Sequence, residues 1–210
     1  MNPETIKSEL EANIPGCVLQ LVTNASPCAQ HSLLMDAEHA IAVATYLRDA
    51  AGLRMDFCSN VTGIDWPQRE VSEKIKVKKL VDGVETEVDE VKKTVVPGYL
   101  EAVYHLYSME LKHGPVILRM RTQDRDAGVH LPSLMHVWRS ADLQEREIFD
   151  LYGIIFDGHH DLRRLLMWEN FVDHPMRRDY VDPDDYEYEP TAHDEVLRRA
   201  QQHRAEGGRQ

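Results

Sequence analysis

No apolar run in the 210 residues approaches the ~18 needed to cross a membrane as a helix. The opening stretch, MNPETIKSELEANIP, is polar and reads as a helix, so no signal peptide is expected. Cysteine is scarce. Cys17, Cys28 and Cys58 are widely spaced, odd in number and without a C-x-x-C pair, which argues against a disulfide framework and for a reducing, cytosolic compartment. Three thiols also fall short of the usual four of an iron–sulfur cluster, so these cysteines read as packing residues. Glycine-rich phosphate loops are missing, as are a G-x-S-x-G elbow and an H-E-x-x-H helix. Cations are outnumbered, with 24 Lys and Arg against 36 Asp and Glu and a net charge of −12. That balance argues against nucleic acid, which is held largely by Lys and Arg on phosphates.

What is present is one sizeable core with an appendage. Helices are expected over 3–12, and over 36–51 with Asp36 as N-cap, Ala40, Ile41, Ala44 and Leu47 at helical spacing, and Gly52 as the stop. Strands are expected at 18–23, 31–35, 54–64, 100–109 and 116–122, the last two joined by a turn at Gly114-Pro115. Residues 70–96 read as a hairpin turning at Asp82-Gly83. That register sets Val77 against Val88, Lys78 against Glu87 and Lys76 against Asp89, and the hairpin should project from the main sheet. A helix over 141–152 takes Ser140 as N-cap and Gly153 as its stop, with an Asp142–Arg146 ion pair one turn apart. Ala141, Ile148, Phe149 and Tyr152 form its expected buried stripe. The expectation is an α+β fold: a two-layer core over 1–156 with a mixed sheet and helices on one face, then an extended irregular segment over 157–210. Within that segment 192–204 reads as a short helix.

The chemistry-bearing residues crowd into 141–181. His159, His160, Asp161 and His174 are a possible metal set, although adjacent histidines diverge and a metallohydrolase is the lesser reading. Ser133 and Ser140 lie near His130 and His136 without an oxyanion loop. Glu145 and Glu147 are two apart on a helix and face different sides, whereas Glu147 and Asp150 share one. Residues 159–181 contain Arg163, Arg164, Arg177, Arg178, Met167, Trp168, Met176 and Tyr180 but no Lys. Interfaces have that composition, and Arg suits planar contacts to carboxylates. A long irregular segment carrying apolar residues is usually functional or docked elsewhere. Residues 182–195, by contrast, hold seven carboxylates and no Lys or Arg.

The order Glu145-Arg146-Glu147, Asp150, Leu151-Tyr152, His159, Arg163, Leu165-Leu166 resembles, at every specified position, the signature of the NuoC/NdhJ family. That family is the C subunit, or 30-kDa-type subunit, of respiratory NADH–quinone oxidoreductase (complex I). Gly63-Ile64-Asp65, Tyr104-His105-Leu106-Tyr107-Ser108 and His174-Pro175-Met176-Arg177-Arg178-Asp179-Tyr180 are similar to further family motifs. The chain departs from the pattern at His160, Leu143 and Arg139, where the family usually has Pro, Trp and Pro.

The resemblance implies a non-catalytic subunit of the peripheral arm on the cytoplasmic side of the inner membrane. It would hold no cofactor itself, with FMN, iron–sulfur clusters and quinone in partner subunits. It would dock against the D subunit, with the B subunit and the ferredoxin-like I subunit nearby, and meet the membrane only through the complex. Glu145, Arg146, Glu147, Asp150, His159, Asp161, Arg163, Arg164, His174, Pro175, Arg177, Arg178, Asp179 and Tyr180 would be the signature and docking residues. An equivalent subunit of a membrane-bound hydrogenase or F₄₂₀H₂ dehydrogenase is the alternative the resemblance leaves open.

Overall fold

In the computed structural model the described residues are 2–81 and 84–181, without side chains at 73–90 and 92. The elements run α1 (Pro3–Asn13), β1 (Leu19–Val22), β2 (Ser32–Met35), α2 (Ala40–Asp49), β3 (Phe57–Trp66), β4 (Arg69–Val81) and β5 (Val84–Val96). Then come β6 (Tyr99–Ser108), β7 (His113–Arg121), β8 (His130–Pro132), α3 (Ala141–Tyr152) and β9 (Ile155–Asp157). Five strands form a mixed sheet in the order β1-β2-β7-β6-β3, with β2 and β7 parallel and the other pairs antiparallel.

Alternation decides the two faces of that sheet. Leu100, Ala102, Tyr104 and Leu106 of β6 and Val116, Leu118 and Met120 of β7 join one apolar core. Ile6 and Leu10 of α1, Val43 and Leu47 of α2, and Ala141 and Ile148 of α3 enter the same core, so the helices form the second layer. This is the two-layer α+β arrangement expected. The other face carries Glu101, Val103 and His105 of β6 and Ile117 and Arg119 of β7, which follow from the same two-residue period.

β4 and β5 make a separate two-stranded sheet, and its Cα register sets Lys78 against Glu87, Lys76 against Asp89 and Val77 against Val88. The Asp82-Gly83 turn and the side chains of those ion pairs lie outside the described residues, as does the helix expected at 192–204.

Several local expectations are corrected. Helix α2 begins at Ala40 with His39 at its cap. The Asp36 carboxylate instead accepts the His39 N–H and Nδ1–H, both at 2.8 Å, and closes the turn before the helix. The helix also ends at Asp49, short of Gly52. Ser140 makes no capping bond; its hydroxyl donates to the Cys58 carbonyl at 2.7 Å and ties α3 to β3. Gly114-Pro115, a cis peptide, falls inside β7 rather than in a turn. β8 and β9, where no strand was expected, pair in parallel. A three-residue strand whose partner lies far back in the chain leaves no periodic trace. Cys17 and Cys58 are buried free thiols, and Cys28 is exposed.

The first compact unit runs Met1–Arg178 and so includes residues 157–178; the second is Asp179–Gln210.

Candidate functional site

A helix ends with carbonyls that have no partner within it, and buried ones must be satisfied from outside. At the end of α3 that supply comes from a segment much later in the chain. The Gly153 N–H donates to the Phe149 carbonyl in the left-handed conformation, φ +81°, that ends the helix. The Asp150 carbonyl accepts Nδ1–H of His174 at 3.0 Å, the Leu151 carbonyl accepts the Met176 N–H at 3.1 Å, and the Tyr152 carbonyl accepts Nε–H of Arg177 at 2.7 Å. The His-Pro-Met-Arg stretch is therefore a helix cap supplied from a distance. Placing the Arg177 cation there also suits the negative end of the helix dipole. Burial first, then Arg177 and Arg164 alongside, hold the His174 imidazole below its ordinary pKa despite the Asp150 carbonyl.

Gly153 is required by this closure as well as by its φ. A Cβ there would stand 2.5 Å from Nε2 of His174 and 2.8 Å from an Arg177 guanidinium nitrogen.

Asp150 anchors the middle of the segment. Its wholly buried carboxylate accepts three successive backbone N–H groups, Leu165 at 3.0 Å, Leu166 at 2.6 Å and Met167 at 2.8 Å. Nη1 of Arg164 adds a charged bond at 2.7 Å. Burial pushes the Asp150 pKa up, but the Met167 N–H, Arg164 and the Leu166 and Leu165 N–H groups outweigh it, leaving the pKa below the usual carboxylate value. Arg146 reaches back to the carbonyls of Arg163 and Arg164 at 3.2 and 3.3 Å. Asp65 finishes the work: Arg125 holds both its oxygens at 2.6 and 2.7 Å, and the Arg178 N–H donates to Oδ2 at 2.7 Å.

The four arginines are thus not alike. Arg164 and Arg177 turn inward, and the Arg164 side chain is 14% exposed. Arg163 stands 75% exposed beside Asp161, and Arg178 is also at the surface. The expected Asp142–Arg146 pair is replaced: Arg146 faces Asp161 and the segment's carbonyls, while Asp142 faces the histidines. Pro175 is half-buried beside the capping His174, Glu147 is exposed, and Asp179 and Tyr180 belong to the second unit.

Glu145 is wholly buried under α3. It replaces Phe149, which is half-buried, in the expected inward stripe. Its carboxyl accepts Tyr104 Oη at 2.9 Å, the Leu134 N–H at 2.9 Å and the Ser133 hydroxyl. No cation touches it in these bonds. Burial pushes its pKa up to about 7 against the three donors. Cys58 lies close by, and burial raises its thiol to about 12, which leaves it unreactive.

Asp142, His159 and His160 gather with ligand atoms within 4.8 Å of one another; His174 is not in that group. Nε2 of His159 donates to the Asp142 carbonyl at 3.0 Å, and its Nδ1 accepts the Asp161 N–H at 3.1 Å. Both ring nitrogens are committed to the fold, so a metal would have to displace one of them.

Apolar and polar side chains share the exposed side of the segment, the polar ones being His160, Arg163, Glu169, Asn170, Asp173 and Arg178. Leu165, Leu166, Trp168, Val172 and Met176 are exposed, with Leu166 at 61% and Val172 at 84%. Trp168 packs edge-on against Phe171, 4.7 Å between centroids.

The class defined by these features is a two-layer α+β domain whose last helix is capped by an irregular strap that exposes several apolar side chains. The family model for the respiratory-chain NADH dehydrogenase 30 kDa subunit matches residues 33–187, and the chain belongs to this family. It is similar to the C subunit of NADH-quinone oxidoreductase from Paraburkholderia xenovorans, 34% identical over 177 residues, covering 84% of this chain and 76% of that one. The C subunit from Saccharopolyspora erythraea is 33% identical over 146 residues, 70% of this chain. The chain spans about half the length of that relative, 47%. Among solved structures, a chain of the membrane-bound sulfane sulfur reductase, an archaeal respiratory membrane complex, shares the fold at a TM-score of 0.57 and 16% identity over 85% of each chain.

Proposed function

We propose that this chain is a non-catalytic subunit of the peripheral arm of a proton-translocating NADH–quinone oxidoreductase, on the cytoplasmic side of the inner membrane. The strap over 159–178 docks against the D subunit, next to the quinone-reducing module, with the B and I subunits as neighbours. The observation that carries this reading is the strap itself. Arg164, His174 and Arg177 are spent inward, on Asp150 and the carbonyls of α3, while Leu165, Leu166, Trp168, Val172 and Met176 are exposed. Several exposed apolar side chains gathered on one segment suit a binding surface. Arg163 and Arg178 supply charged contacts at its rim. FMN, iron–sulfur clusters and quinone belong to the partner subunits, and this chain shapes the surface on which they assemble. Among the described residues no helix is long and apolar enough to cross a membrane.

Affinity capture of the tagged chain from its host in mild detergent tests the reading, with companions identified by mass spectrometry. Co-purification of the B and D subunits with flavin and iron–sulfur proteins is the expected result. A hydrogenase large subunit among the companions would keep the docking role and move it to another complex. Recovery of the chain alone at native abundance would overturn it.

A further inference from the structure

The face of the sheet opposite the helices holds a polar arrangement that the strap does not use. Glu101 is wholly buried there and accepts Nη1 of Arg119 at 2.9 Å, Nε of Arg121 at 2.9 Å and Nε1 of Trp66 at 3.0 Å. One carboxylate therefore answers two guanidinium groups, and a unit of positive charge is left over in a chain whose net charge is −12. Beside it lies a hollow of about 210 Å³. His105 and Arg119 line it together with Asn24, Gln30, Ser32 and Thr62, over an apolar floor of Val103 and Ile117, and among the described residues no carboxylate lines it. Arg119 stands opposite Val103 and His105 opposite Ile117, so the two basic side chains are diagonal neighbours on adjacent strands.

Nδ1 of His105 and Nε of Arg119 are buried and have no hydrogen-bond partner among the described residues. Buried nitrogens in that state are rare in folded proteins, and an acceptor reaching them would satisfy both. Burial, with Arg119 beside it, also holds the His105 imidazole below its ordinary pKa. Thr62 Oγ1 already accepts Nδ2 of Asn60 at 2.6 Å, so its proton is available to an incoming acceptor.

We propose that this hollow is a binding site for a single carboxylate group. One surplus positive charge matches a monoanionic group, and His105, Arg119 and Thr62 supply donors around it. The volume is below the ~300–1,000 Å³ of drug-sized sites, so the ligand is a small acid or an acidic side chain entering from a partner. The inference stands on this face alone and is independent of the strap's role.

The test uses the full chain and follows the His105 imidazole signal by NMR, assigned with His105→Gln. Propionate and N-acetyl-glutamate amide, each carrying one carboxylate, are titrated in parallel, with sodium chloride at matched ionic strength. A saturable shift with a carboxylate and none with chloride is expected. Arg119→Gln should weaken binding at least about tenfold, the effect of losing a charged hydrogen bond. Thr62→Val should weaken it less, and Arg119→Lys serves if Arg119→Gln does not fold. A stronger response to the acetylated amide assigns the site to a partner's acidic side chain, and a stronger response to propionate assigns it to a free small acid. An equal shift with chloride, a shift that never saturates, or full binding in both the Arg119 and Thr62 variants would overturn the proposal.

Discussion

Glu145 and Asp150 sit on the same helix, both wholly buried, in opposite surroundings. Glu145 faces the sheet and meets three neutral donors, so burial dominates and its pKa rises to about 7. Asp150 faces the strap and meets a guanidinium and three backbone N–H groups, so its pKa falls despite burial. The difference shows what each carboxylate does. The first is a polar brace between α3, β6 and the loop after β8, tolerated best when protonated. The second is the charge around which an otherwise irregular segment is ordered.

Removing the Asp150 carboxylate should do the most damage. Asp150→Ala leaves Arg164 and three N–H groups without their acceptor, at a cost of about 3–5 kcal/mol. Urea denaturation should show that loss, and limited trypsinolysis should cut at Arg163 and Arg164 in the variant before the wild type. If the strap stayed resistant, its order would come from the α3 cap rather than from Asp150.

Gly153→Ala attacks the cap directly. The positive φ and the approach of His174 together should cost about 2–4 kcal/mol, read from thermal unfolding.

Glu145 sharpens the comparison through pH. Its folded pKa lies above its unfolded value of about 4.5, so the folded state binds more protons between the two. Its contribution to stability is full below pH 4.5 and is lost as pH rises to about 7. Asp150 has the reverse sign: its contribution is present above its unfolded pKa and is lost as pH falls through the lowered folded one. Stability of wild type relative to Glu145→Gln, measured by denaturant titration from about pH 5 to 8, should fall by on the order of 3 kcal/mol. A flat difference would mean that Glu145 stays ionised throughout.

The smallest effect belongs to Arg163→Ala. The side chain is 75% exposed, so chain stability should change by less than about 0.5 kcal/mol.

Much of the fold was legible because it is written in local periods. The 141–152 helix, its glycine stop and the hairpin register follow from spacing alone. The motifs around the strap were legible as a list but not as an arrangement. Arg164 and Arg177 look the same as Arg163 and Arg178 in sequence, yet the first pair turns inward because α3 ends in carbonyls that need donors. The burial of Glu145 was not legible, because nothing local reveals Tyr104 and Ser133 converging on it from elsewhere in the chain. Asp65 was visible within its Gly-Ile-Asp motif, but its hold on Arg125 and Arg178 depends on contacts 60 and 113 residues away.

The central claim is that the strap's exposed apolar side chains form a docking surface while its inner side is a cap. The direct measurement is assembly of the tagged Leu166→Asp, Val172→Asp double variant in its host, beside the stability of the same variant in isolation. The account predicts an isolated chain that unfolds at the wild-type midpoint and a complex that fails to retain it, with NADH–quinone activity falling in step. Normal assembly and activity with both aspartates in place would contradict it.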